Sequence, residues 1–179
     1  MRTIIILSSI CIFWGLMGTA CRDVEVGYLI TEYAGYGLDS MVIKFELDVT
    51  APVEAPNPVY EELLNNGWSP EELADMRVYP TILVGGGEDY ERVKYDMPWV
   101  GTAIEGIEGS APIWCTIKSV DSKDGDIAKL AACISVRGDG TLSVPVKNDV
   151  PRGRYSISLN FSNEGWSKDV NDCFTIIVK

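Results

Sequence analysis

The stretch Pro151-Arg152-Gly153-Arg154-Tyr155-Ser156-Ile157-Ser158-Leu159-Asn160-Phe161 constrains the fold more than any other part of the chain. Tyr155, Ile157, Leu159 and Phe161 alternate with Arg154, Ser156, Ser158 and Asn160. A period of two places four large apolar side chains on one face of a strand and polar ones on the other. The Pro-x-Gly ahead of it supplies a turn, and Tyr155 follows Gly153 by two residues. This strand is expected at the centre of the molecule.

The first residues read as an export signal. One base, Arg2, precedes an apolar run from Ile4 to Met17, and Gly18-Thr19-Ala20 supplies the small residues a signal peptidase needs. The run is shorter than the about 20 apolar residues of a membrane span. Cys21 comes next, and Gly18-Thr19-Ala20-Cys21 resembles a bacterial lipobox, whose cysteine thiol receives a diacylglycerol. That resemblance implies lipidation at Cys21 and a membrane partner held through the acyl chains. The expected place is the cell outer membrane, with a secreted or periplasmic protein as the alternative.

Removing residues 1–20 takes away one base and no acids, leaving 14 Lys+Arg against 26 Asp+Glu, a net charge of −12. Such a surface repels nucleic-acid phosphates, whose binding relies on Lys and Arg. The remaining residues, 21–179, suit one well-buried domain.

Along the chain, a strand is expected over 24–33 and a second over 41–49, the two forming a hairpin across the turn at 34–40. Three prolines then break the pattern at Pro52, Pro56 and Pro58. A two-helix insertion is expected over 57–77. Asn57 caps the first helix with Pro58 at its first position, and Asn66-Gly67 ends it. Ser69-Pro70-Glu71-Glu72 is a capping box for the second. Residues 78–84 read as a strand or an extended connection. Further strands are expected over 91–97, one bent strand within 98–109, one marked by Ile113, Cys115 and Ile117, and others over 131–137, 142–146 and 173–178. Repeated short strands separated by turn signals point to an all-β sandwich.

The chemistry is limited first by what is missing. The sequence has no His, which excludes Ser-His, Cys-His and His-metal arrangements. No catalytic residue, metal or cofactor is expected, and the protein is read as not an enzyme. Cys115, Cys133 and Cys173 are expected as buried thiols, with one disulfide among them as the alternative. Trp166, in the polar run 163–169, and Trp68, between the two helices, are candidate ligand-binding residues, because pyranose rings stack on flat aromatic side chains. Trp99 and Trp114 read as core. Arg137-Gly138-Asp139 is read as hairpin-turn chemistry, and 121–126 as a solvated turn, since Lys123 falls where a calcium loop needs an oxygen ligand.

The turn into Tyr155 resembles the tyrosine corner of immunoglobulin-like sandwiches, where the phenol hydroxyl ties back to upstream backbone. Together with Leu142-Ser143-Val144-Pro145, Asn148-Asp149-Val150-Pro151, Asn160-Phe161-Ser162-Asn163 and Phe174-Thr175-Ile176-Ile177-Val178, it resembles immunoglobulin-like domains of Bacteroidales cell-surface lipoproteins. That resemblance implies an immunoglobulin-like β-sandwich with a small two-helix insertion. It also implies company with glycan-uptake systems, and hence a glycan-binding or partner-docking module. The alternative is a structural or adhesive envelope lipoprotein with no small-molecule site.

Overall fold

The computed structural model describes residues 27–179. The export signal, Cys21, Val24 and Val26 lie outside the described residues. The elements begin with β1 (Leu29–Ile30), β2 (Gly35–Tyr36), β3 (Ser40–Ile43) and β4 (Val53–Pro56). Helices α1 (Pro58–Asn65) and α2 (Pro70–Asp75) follow, then β5 (Thr81–Val84) and α3 (Tyr90–Lys94). Next come β6 (Trp99–Val100), β7 (Ile104–Glu105), β8 (Glu108–Gly109) and β9 (Trp114–Ser122). The chain closes with α4 (Ile127–Cys133), β10 (Ser135–Val136), β11 (Leu142–Val144), β12 (Gly153–Asn163) and β13 (Trp166–Val178).

The alternating stretch is most of β12, which pairs antiparallel with β13 on one side and β9 on the other. β3 adds in parallel to the far edge of β13, giving the order β3-β13-β12-β9. A second sheet has the order β10-β11-β6. Tyr155, Ile157, Leu159, Phe161, Phe174 and Ile176 from the first sheet join Leu142 and Val144 from the second in one apolar cluster, with Trp99 packed against it. Tyr155 is fully buried, and its hydroxyl donates to the Pro151 carbonyl at 2.8 Å. Gly125 lies flat against the phenol, where a Cβ would overlap the ring. The register shifts at Ser158 in both pairings of β12. There the Ser158 Oγ accepts the N–H of Asp172, which holds a left-handed φ of 48°.

The protein is thus β-rich, in several sheets, with a few short helices. Several expectations need correction. The first two strands do not form a hairpin: β1 pairs with β8, and β3 with β13. β3 covers Ser40–Ile43, shorter than the expected 41–49. Just past it, the Lys179 N–H donates to the Ile43 carbonyl at 3.0 Å and the Lys179 carbonyl accepts from the Phe45 N–H at 2.7 Å. Residues 91–97 open with α3, whose last turn carries Arg92 and Lys94 at the end that favours cations. Most of 131–137 is the end of α4 and the short β10. Asp126 caps α4 by accepting the N–H groups of Ala128 and Lys129, and Leu130 is its buried anchor. The region 98–109 holds three two-residue strands in three sheets rather than one bent strand.

The two expected helices form, and they stand on a stalk. β4 and β5 pair antiparallel below them, so the excursion runs β4-α1-α2-β5. Asn57 accepts from the Val59 N–H and donates to the Tyr79 carbonyl. The capping box is complete, with the Ser69 N–H on Glu72 at 2.9 Å and the Glu72 N–H on Ser69 at 3.3 Å. Leu73 is the excursion's own fully buried side chain. No residue of 44–98 belongs to the main core cluster. At the base, the buried Asp89 carboxylate takes Lys44 Nζ at 2.9 Å and the Asp48 N–H at 3.2 Å.

Candidate functional site

Alternation on β12 turns Ser156, Asn160 and Ser162 to the side opposite the core, and the register builds rows with the neighbouring strands. Trp114, Ser162 and Ser167 form one row, and Thr116, Asn160 and Asp169 the next. Trp114 is 50% exposed, so a large indole opens onto an otherwise hydroxyl-rich face. The second row is internally ordered. Asn160 Nδ2 donates to Asp169 at 2.7 Å and to Ser167 Oγ at 2.9 Å. Lys118 Nζ bridges Asp169 at 2.8 Å and Asn171 at 2.9 Å. The Lys118 hydrogen bond, then that of Asn160, holds the Asp169 carboxyl below its usual range.

Toward the Gly153 end, the same face deepens into a groove of about 690 Å³ lined by Asp121, Ser122, Lys123, Asp124, Arg154, Ser156 and others. Its acids are engaged within the fold. Asp124 accepts the Arg154 N–H at 3.1 Å, and Asp172 accepts from Ser156 Oγ at 2.7 Å. Ser122 Oγ donates to the Arg154 carbonyl at 2.7 Å. Among the described residues no three His, Cys, Asp or Glu side chains are grouped to hold a metal ion.

The two tryptophans singled out from sequence are not brought together. Trp166 opens β13 after a two-residue turn, Glu164-Gly165. It is 47% exposed, and its Nε1 donates to the Gly27 carbonyl at 3.0 Å. Trp68 follows α1, its N–H on the Leu63 carbonyl, and borders a shallow hollow of about 250 Å³ with Asn66, Gly67 and Glu72. Trp99 packs on the core with the Arg92 guanidinium 3.9 Å over its ring. Trp114 is the misplaced one, because Cys115 and Ile117 turn inward and their neighbour must turn outward.

Cys115, Cys133 and Cys173 are free thiols, each half-buried. Burial raises all three, Cys115 up to about 12, so each is a neutral thiol at neutral pH. Arg137-Gly138-Asp139 forms the turn between β10 and β11, with Asp139 accepting the Thr141 N–H at 3.0 Å. Among the described residues no helix is long and apolar enough to cross a membrane. Comparisons with protein families, with curated proteins and with solved structures return no match.

Proposed function

We propose that this chain is an immunoglobulin-like, non-catalytic, lipid-anchored surface module that binds glycan on the outer face of its four-stranded sheet. The sheet orders β3-β13-β12-β9 and β10-β11-β6 and the Tyr155 hydroxyl on Pro151 support the immunoglobulin-like part. The lipid anchor at Cys21 and the outer-membrane location rest on the lipobox resemblance. The observation that carries the binding reading is Trp114. Its half-exposed ring ends a row of hydroxyls and lies one row from an amide-carboxylate pair already fixed in place.

Sugars present an apolar ring face and a rim of hydroxyls, and this surface offers a flat aromatic followed by donors and acceptors. Because Asn160 and Asp169 are held by Lys118 and Ser167, little side-chain freedom is lost on contact. From Trp114 to Asp121 the strand runs roughly 23 Å, at about 3.3 Å per residue. That span suits a short oligosaccharide lying along β9 better than a single sugar. Trp166, at the same end of the sheet but turned to the other face by its place next to Ser167, and Trp68, on the insertion, are separate candidate stacking residues outside this face.

The test is calorimetric titration of maltohexaose, cellohexaose, xylohexaose and mannohexaose into wild type, Trp114→Ala, Trp166→Ala and Trp68→Ala. Binding of at least one glycan, weakened tenfold or more by Trp114→Ala, is expected. Failure of every glycan at millimolar concentration, or full binding by Trp114→Ala, overturns the reading.

A further inference from the structure

The excursion carries a second surface, separate from the sheet face proposed for glycan. The Asn57 N–H donates to the Pro80 carbonyl at 2.9 Å, which sets the alternation of the β4–β5 ribbon. Hydrogen-bonded pairs are then 55 with 82 and 53 with 84, while 54 with 83 and 56 with 81 are the non-hydrogen-bonded pairs. The N–H and C=O groups of Thr81 and Leu83 therefore point away from β4, along an edge that no other strand among the described residues pairs with. The opposite edge is blunted, since Pro56 has no N–H to offer. Leu83 is 66% exposed and Ile82 is 39% exposed, so the free edge is apolar as well as unpaired.

Charge decides what fits it. Residues 53–84 carry Glu54, Glu61, Glu62, Glu71, Glu72 and Asp75 against Arg77 as their one base. Glu54 stands directly opposite Leu83, in the closer kind of antiparallel pair. A second copy would bring this acidic surface against itself. An incoming strand alternates its side chains between the two ribbon faces, one holding Leu83 and Glu54, the other Ile82 and Ala55.

We propose that the β5 edge docks an extended segment of a partner protein in which basic residues alternate with apolar ones. The partner strand pairs with Thr81 and Leu83, reaches its Lys or Arg across Leu83 toward Glu54 two strands away, and sets its apolar residues beside Ile82.

The test uses the chain from residue 22 onward and a short synthetic peptide alternating Lys and Val, with its Glu–Val counterpart as control. Amide hydrogen exchange is followed residue by residue. The Lys–Val peptide is expected to slow exchange at Thr81 and Leu83 at least tenfold, and about 1 M salt, where charges are screened within about 3 Å, to reverse this. Leu83→Pro removes an edge N–H that the ribbon does not use, and is expected to weaken binding at least tenfold with unchanged α1 and α2 amides. Should that variant misfold, the Glu54→Gln, Glu61→Gln, Glu62→Gln triple variant carries the test with the same expected loss. Equal protection by the Glu–Val peptide, protection confined to other edges, or no protection at millimolar peptide overturns the proposal. So does protection at Leu83 that rises with the protein's own concentration, which makes a second copy the occupant.

Discussion

The core sheets and the excursion between β3 and β6 are built on opposite economies. In the core sheets, the long strands β12 and β13 bury one face, so Tyr155, Ile157, Leu159, Phe161 and Phe174 share one core. In the excursion, local chemistry replaces burial: proline and capping side chains start α1 and α2, and Leu73 is the lone buried aliphatic anchor. Stability in the first region is cooperative, and in the second it is local. The apolar side chains that the excursion leaves outside are therefore free to meet something else.

The sharpest way to break this distinction is to truncate one anchor in each region. Phe161→Ala should cost the whole molecule about 3–5 kcal/mol, read as a shift in the urea midpoint. Leu73→Ala should release about 2–4 kcal/mol of local protection, seen as fast amide exchange through α1 and α2. The urea transition of the core sheets should stay in place, and a shift as large as that of Phe161→Ala would show one cooperative unit instead. Tyr155→Phe removes only the hydroxyl on Pro151 and should lower global stability by about 1 kcal/mol, by the same urea measurement.

Ser69→Ala should cost about 1 kcal/mol, and hydrogen exchange should show the loss in α2 alone. The smallest effect concerns pH on the sheet face. Folding depresses the Asp169 carboxyl through Lys118 and Asn160. Its stabilising contribution is thus present above the unfolded-state value and disappears as pH falls through the folded one. Carboxyl chemical shifts should show the Lys118–Asp169–Asn160 row intact at neutral pH and loosening only below the ordinary carboxylate range.

The two regions were also legible in different ways. β12 declared itself because each apolar residue from Tyr155 to Phe161 obeys one period, and the α1 and α2 caps did so because Asn57 and Ser69 each precede a proline. Two-residue strands such as β6 and β7 are too short to show alternation, and the parallel placement of β3 depends on β13, far along the chain. α4 had a readable cap in Asp126, but that residue also fitted a metal-loop spacing. The β4 strand was masked by Pro52 and Pro56, which are tolerated because Pro56 occupies a non-hydrogen-bonded position. Trp114 was the costliest misreading, since the pattern that turns Cys115 inward already placed it on the outer face.

The bond from Trp166 to Gly27 has a consequence for reach. It fastens the start of the described chain to the Trp166 end of β13, whereas the excursion departs beyond Ile43, which pairs with Val178 at the other end. Those ends are separated by roughly 40 Å of strand, at about 3.3 Å per residue. From Cys21 to Gly27 the backbone can stretch at most about 20 Å. A chain tethered at Cys21 would thus keep the Trp114 end of the four-stranded sheet nearer the tether than the Ile43 end, from which the excursion departs.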